Sequence, residues 1–262
     1  MIDAHCHLEQ GIYHKDRDAI VQSCKAAGLK AIVTSCAKPQ DFGLTMDIVK
    51  KHRDFVFPTV GIHPEFIKET TSKQVDELMD KIREKKSSII GIGEVGLDFY
   101  WIRQGVLQRK QKELFVSMIA FAKELKKPLV IHARDAYEDA LRILENEDAR
   151  RVQLHMFGEN GFVQRVIEDG YMVSMNAIVL KSKKHRKIVR DMPPEKLMLE
   201  TDAPWLAPEG WSPDGKPTNR NDPRAIRVIA EKIAEIKKID FEEVWQQCGR
   251  NARDFFELSI RV

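Results

Sequence analysis

Eight short apolar segments alternate with amphipathic helical segments along this chain of 262 residues, and that alternation restricts the possible folds more than any other feature. Strands that alternate with helices form parallel sheets, and eight such units in about 250 residues are typical of a (β/α)8 barrel. We therefore predict an α/β protein with a single domain, residues 1–262, folded as a TIM barrel with its active site at the C-terminal ends of the strands; a doubly wound open sheet is the alternative. The predicted strands cover residues 2–7, 31–35, 55–61, 89–95, 128–132, 152–155, 171–176 and 197–202.

The composition is that of a soluble globular protein, with 43% hydrophobic residues, 32% charged residues and a formal net charge of +3. A net charge this small neither requires nor excludes a nucleic-acid partner, because local patches matter more than the total. The four cysteines form no Cys-x-x-Cys motif, which argues against a zinc ribbon and a disulfide framework and favours a reducing compartment. Apolar runs of roughly 20 residues, as a membrane span needs, are missing from the sequence. The first predicted strand leaves no room for a signal peptide, so we expect a cytoplasmic protein.

The C-terminal ends of the predicted strands carry many side chains that can bind metal ions. Side chains alternate between the faces of a strand, so Asp3, His5 and His7 are expected on one face of the first strand. In a barrel, the C-terminal ends of all strands open on the same face, where active sites lie. Each candidate alone has an ordinary structural explanation, but their joint placement predicts a metal centre. The candidates are His5, His7, His63, Glu94, His132, His155 and Asp202.

Four of these histidines and the two carboxylates fit a centre with two metal ions. Six ligands are too many for one tetrahedral zinc ion, but they suit two ions about 3.5–4 Å apart that share a bridging carboxylate. Glu94, on a middle strand, is the natural bridge. His132 and His155, on adjacent strands, would hold one ion. The first and last strands are neighbours across the closure of the barrel, so the other ion would be held by His5, His7 and Asp202.

Over nearly its whole length the chain resembles the TatD family of metal-dependent deoxyribonucleases, which are amidohydrolase-type metallo-hydrolases. The matching stretches are DAHCH at 3–7, GIHP at 61–64, GEVGLD at 93–98, IHARDA at 131–136, ETDAPW at 200–205 and RNDP at 220–223. The resemblance implies the six ligands given above and a substrate-facing role for His63 near the scissile phosphate. It also implies a 3′→5′ exonuclease that acts on single-stranded DNA with two divalent metal ions.

Cleavage of a phosphodiester needs an activated water, neutralisation of the charge on the phosphate and help for the leaving oxygen. Two metal ions would supply most of this, and Asp202 is expected to orient the attacking water and accept its proton. We therefore expect Asp202, Glu94 and His63 to be catalytic. Imidazole-rich sites bind zinc tightly, whereas nucleases often work with magnesium or manganese, so the ion that binds and the ion that works need not be the same.

Basic and aromatic residues that follow the strands bear on the choice of substrate. A basic run at 181–187 either neutralises a nucleic-acid backbone or forms a solvated helix face. Arg134 is either a phosphate contact or a structural residue behind the ligands. Trp101 and Trp205, in loops after strands four and eight, either stack on an unpaired base or pack a lid. We assign His63, Arg134 and Trp205 to substrate binding and expect nucleic acid, not a membrane, as the partner.

Two stretches on the same face depart from the family pattern and leave the substrate preference open. The family usually has His-Cys-Phe-Ser-Gly after strand six, where this chain has HMFGE at 155–159. Strand seven usually ends in Ser followed shortly by Gly, where this chain has SMNA at 174–177. The alternative function is hydrolysis of a small-molecule ester, lactone, organophosphate or amide on the same barrel. Related small-molecule hydrolases often bridge their metals with a carboxylated lysine, so Glu94 at the end of strand four favours a nuclease. A binding protein without activity is a third possibility, but no ligand has been lost.

Overall fold

The computed structural model describes residues 1–261, in which eight parallel strands form a nearly closed barrel. The strands are β1 Ile2–Cys6, β2 Ala31–Cys36, β3 Val56–Val60, β4 Gly91–Asp98, β5 Leu129–Arg134, β6 Val152–Leu154, β7 Met172–Met175 and β8 Leu197–Leu199. Each strand pairs with the next in chain order, from β1 to β8. The predicted (β/α)8 architecture is therefore confirmed, although Val262, the last residue of the predicted domain, lies outside the described residues.

Amphipathic helices follow the strands and bury their apolar faces against the outside of the sheet. The α-helices are α1 Arg17–Ala26, α2 Phe42–Lys51, α3 Ser72–Glu84, α4 Gly105–Leu125, α5 Tyr137–Asn146, α6 Val163–Glu168, α7 Lys183–Asp191, α8 Ile226–Lys237 and α9 Phe241–Phe255. The sequence sets some of these boundaries directly: α3 begins with a capping box, in which Thr71 and Gln74 satisfy each other's backbone amides. None of the helices within residues 1–261 is long and apolar enough to cross a membrane.

The barrel closes through residues that lie beyond β8. This strand ends at Leu199 and not at residue 202 as predicted, because Asp202 has a φ of +53°, which is left-handed and incompatible with a strand. Instead, the amide of Asp202 donates to the carbonyl oxygen of His5 at 3.0 Å, and the amide of His7 donates to that of Ala203 at 2.7 Å. These two bonds hold Asp202 beside both histidines of the first segment.

Two strands are irregular where they approach the open end of the barrel. Between Asp3 and Cys6, three steps along β1 correspond to two along β2, and a similar shift occurs in β4 between Ile92 and Val95. An extra residue of this kind is a β-bulge, which changes the direction of the neighbouring side chains. Gly93 lies in the second bulge with a φ of +158°, and a Cβ there would come within 2.6 Å of β5. Only glycine fits this position, which immediately precedes the predicted bridging carboxylate.

Candidate metal centre

Glu94 lies at the middle of a cluster of imidazoles at the C-terminal end of the barrel. Its Oε2 atom is 3.4 Å from His5 Nε2 and 3.6 Å from His7 Nε2. Its Oε1 atom is 2.9 Å from both His132 Nδ1 and His155 Nε2. The two oxygens of one carboxylate therefore face two different pairs of rings, which is the arrangement a bridging ligand requires.

Asp202 and His63 complete the cluster beside different imidazoles. The Oδ1 atom of Asp202 is 3.5 Å from His7 Nε2 and 3.7 Å from His5 Nε2. The Nε2 atom of His63 is 3.3 Å from Glu94 Oε1. The structure thus brings together all the side chains predicted from the strand ends. The groups whose ligand atoms lie within 4.8 Å of one another are His5 with His7 and Glu94, His5 with His155 and Asp202, and His63 with Glu94 and His132.

The cluster is buried but keeps one open side. His5 is fully buried and Glu94 is 2% exposed. The side chains of His63, His132 and Asp202 are 12%, 14% and 15% exposed. Water and substrate can therefore reach the cluster from the side on which these three residues lie.

A partner on the far side of three rings decides which of their nitrogens faces the cluster. His7 Nδ1 is 2.9 Å from a backbone carbonyl oxygen of β2, and His132 Nε2 is 2.9 Å from Asp98 Oδ2. His155 Nδ1 is 3.4 Å from Glu200 Oε1, which attracts the ring proton by its charge although the two atoms are not in hydrogen-bond geometry. A ring nitrogen that faces a carbonyl or carboxylate oxygen carries the proton, so the other nitrogen of a neutral ring has a free lone pair. These rings therefore direct lone pairs into the cluster.

His63 has the opposite arrangement. Its Nδ1 atom accepts a hydrogen bond from the backbone amide of Glu65 at 3.1 Å, so the proton of the neutral ring lies on Nε2. Burial lowers the pKa of His63, which favours the neutral form. The Nε2 atom that faces the cluster is then a hydrogen-bond donor and not a metal ligand. The backbone thus separates His63 from the other imidazoles.

The lone pairs in the cluster require a cation between them. His132 Nδ1 and His155 Nε2 are 3.3 Å apart beside an anionic oxygen of Glu94, and protons on the outer nitrogens leave two lone pairs face to face. His7 Nε2, whose lone pair also faces the cluster, is 3.2 Å from His5 Nε2. Such contacts are repulsive unless a proton or a metal ion lies between the rings. Imidazole and carboxylate together suit zinc and other divalent first-row metals, so these residues fit a metal centre.

Opposite charges in the cluster shift one another's pKa strongly. Burial opposes the charge on Glu94, but the surrounding imidazoles outweigh burial by their charge and their hydrogen bonds and lower the pKa of Glu94 well below its usual range. Burial likewise lowers the pKa of His155, but Glu94 and Glu200 outweigh it and raise that pKa well above its usual range. Without a metal ion, this cluster therefore holds protons, and metal binding would release them.

Three buried carboxylates behind the ligands were not among the predicted site residues. Glu9 Oε1 is 3.2 Å from His7 Nδ1. Asp98 faces the ring of His132, and Glu200 faces the ring of His155. Outer carboxylates of this kind fix the orientation of a metal-binding ring. Asp98 lies in the same motif as Glu94, and Glu200 lies in the same motif as Asp202. Their place in these motifs was the sequence signal that could have identified them.

Asp3 supports the barrel closure and does not join the imidazoles. Its carboxylate accepts hydrogen bonds from the amide and the hydroxyl of Thr201, at 3.1 and 2.5 Å, and from the amide of His5 at 3.2 Å. The bulge in β1 begins at this residue. Of the three side chains predicted on one face of the first strand, only the two histidines join the cluster. Asp3 instead fixes the backbone immediately before Asp202.

The two stretches that depart from the family pattern surround Glu200. The amide of Met156 donates to Glu200 Oε1 at 2.8 Å, and Asn176 Nδ2 donates to the same oxygen at 3.3 Å. At Gly158, a Cβ would lie 2.9 Å from His185 Nε2, so the ring of His185 occupies the space that a serine side chain would need. The departures therefore leave the support of the metal centre in place and change the surface next to it.

The predicted substrate residues lie at the open side of the cluster. The ring of His63 is 4.3 Å from that of His132, measured between centroids, and the ring of Trp205 is 5.0 Å from that of His7. Trp205 is 47% exposed. Arg134 is also exposed, two residues beyond His132 on β5. His63 and Trp205 thus border the cluster, and Arg134 lies near it at the end of the strand that carries His132.

Comparison with known proteins identifies the family. A family model described as TatD related DNase matches residues 2–257. The chain belongs to the TatD family. It is 31% identical over 265 aligned positions to human deoxyribonuclease TATDN3, with 98% of this chain and 94% of the relative covered. It is 27% identical over 264 positions to the 3′-5′ ssDNA/RNA exonuclease TatD of Erwinia amylovora, with 98% and 100% covered.

A solved structure confirms the TatD fold independently of close sequence similarity. The TatD homologue YJJV from Escherichia coli K12 superposes with a TM-score of 0.88, at 22% identity and with 98% of each chain covered. The family model and the sequence relatives therefore confirm the predicted family, and the solved structure confirms the predicted fold.

Proposed function

We propose that this protein is a metal-dependent exonuclease that removes nucleotides from the 3′ end of single-stranded DNA. The observation that carries the proposal is the arrangement around Glu94, whose two oxygens face separate pairs of imidazoles. Membership of the TatD family supports the choice of a nucleic-acid substrate. We assign the proposed activity to a single hydrolase domain, residues 1–262.

The metal ligands of the proposed enzyme are the lone-pair donors of the cluster and its two carboxylates. Two divalent ions bound there would activate a water molecule and neutralise charge on the phosphate and the leaving oxygen. Magnesium or manganese would be the working ions, with zinc possible as the bound ion. The proposed ligands are His5, His7, Glu94, His132, His155 and Asp202.

Asp202 is proposed to orient the attacking water and to accept its proton. Burial raises the pKa of Asp202, but the contact with His7 outweighs it and lowers that pKa below its usual value. The residue is therefore an anionic acceptor at neutral pH. Its partial exposure lets water reach the carboxylate.

His63 is proposed to donate a hydrogen bond to the scissile phosphate. Its Nε2 proton faces the cluster because Nδ1 is occupied by the amide of Glu65. A neutral donor at this position stabilises charge that develops on the phosphate without competing for a metal ion. Arg134 and Trp205, which border the same open side, are proposed to contact the neighbouring phosphate and sugar or base.

A single assay tests the activity and its polarity. The protein is stripped of metal and incubated with single-stranded DNA labelled at its 5′ end, with magnesium, manganese or zinc added back. We expect a ladder of products that shortens by one nucleotide at a time. An oligonucleotide with a blocked 3′ end should persist, and its degradation at the normal rate would rule out a 3′ exonuclease.

The number of metal ions is tested separately on the same preparation. Elemental analysis of metal-loaded protein should find two ions per chain, since the six proposed ligands lie close together. A single ion per chain under saturating metal would contradict the two-metal arrangement. A complete lack of activity on DNA and RNA with every metal would contradict the nuclease itself.

A further inference from the structure

Two aromatic side chains project from the loop between β4 and α4. Tyr100 is 41% exposed and Trp101 is 54% exposed, and their ring centroids are 4.8 Å apart at an angle of 84°. Large aromatic rings are usually buried, so two adjacent exposed rings point to a surface that something covers.

An arginine from the next strand lies on these rings. The guanidinium carbon of Arg134 is 3.9 Å from the centroid of Tyr100 and 5.5 Å from that of Trp101. Within residues 1–261, no carboxylate lies within ion-pair distance of Arg134, whereas its neighbour Arg103 is 4.0 Å from Asp135. The charge of Arg134 is therefore available to an anion.

Hydrogen bonds tie this aromatic surface to the metal centre. The amide of Trp101 donates to Asp98 Oδ1 at 2.8 Å, and Asp98 Oδ2 is 2.9 Å from His132 Nε2. Arg134 follows His132 by two residues on β5, which corresponds to about 7 Å along a strand. The aromatic surface and the metal centre therefore lie at the same edge of the barrel, so a base bound there belongs to a nucleotide near the cleaved bond.

We propose that Tyr100, Trp101 and Arg134 form a subsite for an unpaired nucleobase, which rests on the nuclease function proposed above. Trp101 provides the surface on which the base stacks, and Arg134, held by Tyr100, binds the phosphate of the same nucleotide. Stacking on an aromatic ring requires a free base face and does not read the sequence. A base inside a duplex has both faces covered, so this subsite selects single strands over duplexes.

The test compares variants of Trp101 on oligonucleotides that lack one base. Each substrate carries a single abasic nucleotide at the last, second-last or third-last position. We expect Trp101→Ala to raise KM for the intact strand by about 5- to 150-fold with little change in kcat, as loss of one stacked base implies. When the missing base is the one that stacks on Trp101, the abasic substrate should raise the KM of the wild type by a similar factor. The same substrate should leave the KM of Trp101→Ala almost unchanged.

Two further variants serve as controls. Trp101→Phe should recover most of the affinity, because a smaller aromatic ring still stacks. Val106→Ala removes another exposed apolar side chain, 58% exposed, from the nearby start of α4, and it should leave KM unchanged. Because Trp101 is largely exposed, none of these changes should unfold the protein, which circular dichroism verifies.

Binding without cleavage keeps this proposal separate from the proposed activity. Fluorescence anisotropy in EDTA measures affinity for the same oligonucleotides even if the wild type cuts none of them, an outcome that would overturn the nuclease alone. The stacking subsite would be overturned if, at all three positions, removal of the base weakened binding equally in the wild type and in Trp101→Ala. It would also be overturned by a Trp101→Ala variant that binds every strand normally but changes its oligomeric state in sedimentation, since a protein surface would then cover the rings.

Discussion

The buried metal centre and the exposed rim beside it are built in different ways. The rim consists of Tyr100, Trp101, Arg134 and Trp205. In the centre, a hydrogen-bond partner outside the cluster fixes the rings of His7 and His132, and the ring of His155 faces a buried carboxylate. In the rim, the rings are 41% to 54% exposed and the one cation among them has no carboxylate partner in the described chain. The centre is thus arranged before the substrate arrives, whereas the rim still has its interactions to make.

This difference separates the expected effects of substitutions. Groups held in position for the transition state change kcat and kcat/KM together, whereas groups that bind substrate and transition state alike change KM. Substitutions in the centre should therefore alter kcat or metal affinity, and substitutions in the rim should alter KM. Asp98, which accepts from Trp101 and contacts His132, connects the two regions through hydrogen bonds.

Asp202→Asn should have the largest effect and the most selective one. Asparagine cannot accept the proton of the attacking water, so we expect kcat to fall by at least about 10²-fold, the low end for lost acid–base catalysis. Folding should survive, because asparagine tolerates the φ of +53° at this position and the barrel closure uses the backbone amide. Affinity for DNA should change little. Single-turnover cleavage at several metal concentrations, with anisotropy on the same oligonucleotide, checks each expectation.

A matched control for this change lies at the end of β5. Asp135 has the same φ of +53°, is exposed and is 4.0 Å from Arg103. Asp135→Asn should therefore cleave DNA normally. If Asp202→Asn cleaves at near the wild-type rate, or if both variants lose activity equally, Asp202 has no specific role in the chemistry.

Asp98→Asn should have an intermediate effect, on metal affinity. The carboxylate receives two donors, the amide of Trp101 and His132 Nε2, through separate oxygens. Asparagine has one oxygen and can satisfy only one of them, which favours the tautomer of His132 with its proton on the nitrogen that faces the cluster. We expect the metal concentration for half-maximal activity to rise by about 10- to 100-fold, as for other outer-shell substitutions. Metal titration of activity measures the shift.

The control for Asp98→Asn is a change on the rim side of the same hydrogen bond. Trp101→Phe keeps the backbone amide and so should leave the metal dependence unchanged. An Asp98→Asn enzyme whose metal titration matches that of the wild type would show that the outer carboxylate does not orient His132.

The fold and the clustering of the candidate ligands were predictable because each follows from a pattern that is local in sequence. Strand and helix periods alternate along the chain, and the ligands stand at or just beyond strand ends, as Glu94 does in β4 and His155 does immediately after β6. Parallel strands bring such ends together whatever the details of packing. The only knowledge required was the period of each element and the open face of a barrel.

The orientation of the ligands was not predictable in the same way. The bulges at Asp3–Cys6 and Ile92–Val95 change the direction of side chains next to the centre, and no residue in the sequence marks a bulge except Gly93. The separation of His63 from the metal ligands depends on one amide, that of Glu65. Each of these features follows from contacts in three dimensions and not from the spacing of residue types.

The basic run that includes α7 illustrates the same limit for the substrate side. The sequence places many positive charges together there, but the structure already uses several of them. Lys184 Nζ is 3.5 Å from Glu159 Oε2, and Lys187 Nζ is 2.5 Å from Asp191 Oδ2. Arg186 donates to backbone carbonyl oxygens in the preceding turn. The density of charge in the sequence therefore exceeds the charge that is free to bind DNA.

Removal of the α7 charges should have the smallest effect. We expect the double variant Lys184→Gln with Lys187→Gln to change affinity for single-stranded DNA by no more than about 2-fold, since these charges are exposed and already paired. Arg134→Gln, in contrast, removes an unpaired cation from the rim. A cation that contacts a phosphate of a single strand contributes about 0.7 to the slope of log affinity against log salt. Anisotropy at several salt concentrations should therefore show that slope reduced by about 0.7 in Arg134→Gln and unchanged in the double variant. A reduction of about 1.4 in the double variant would instead place the DNA backbone on α7 and remove the distinction between the rim and the rest of the basic surface.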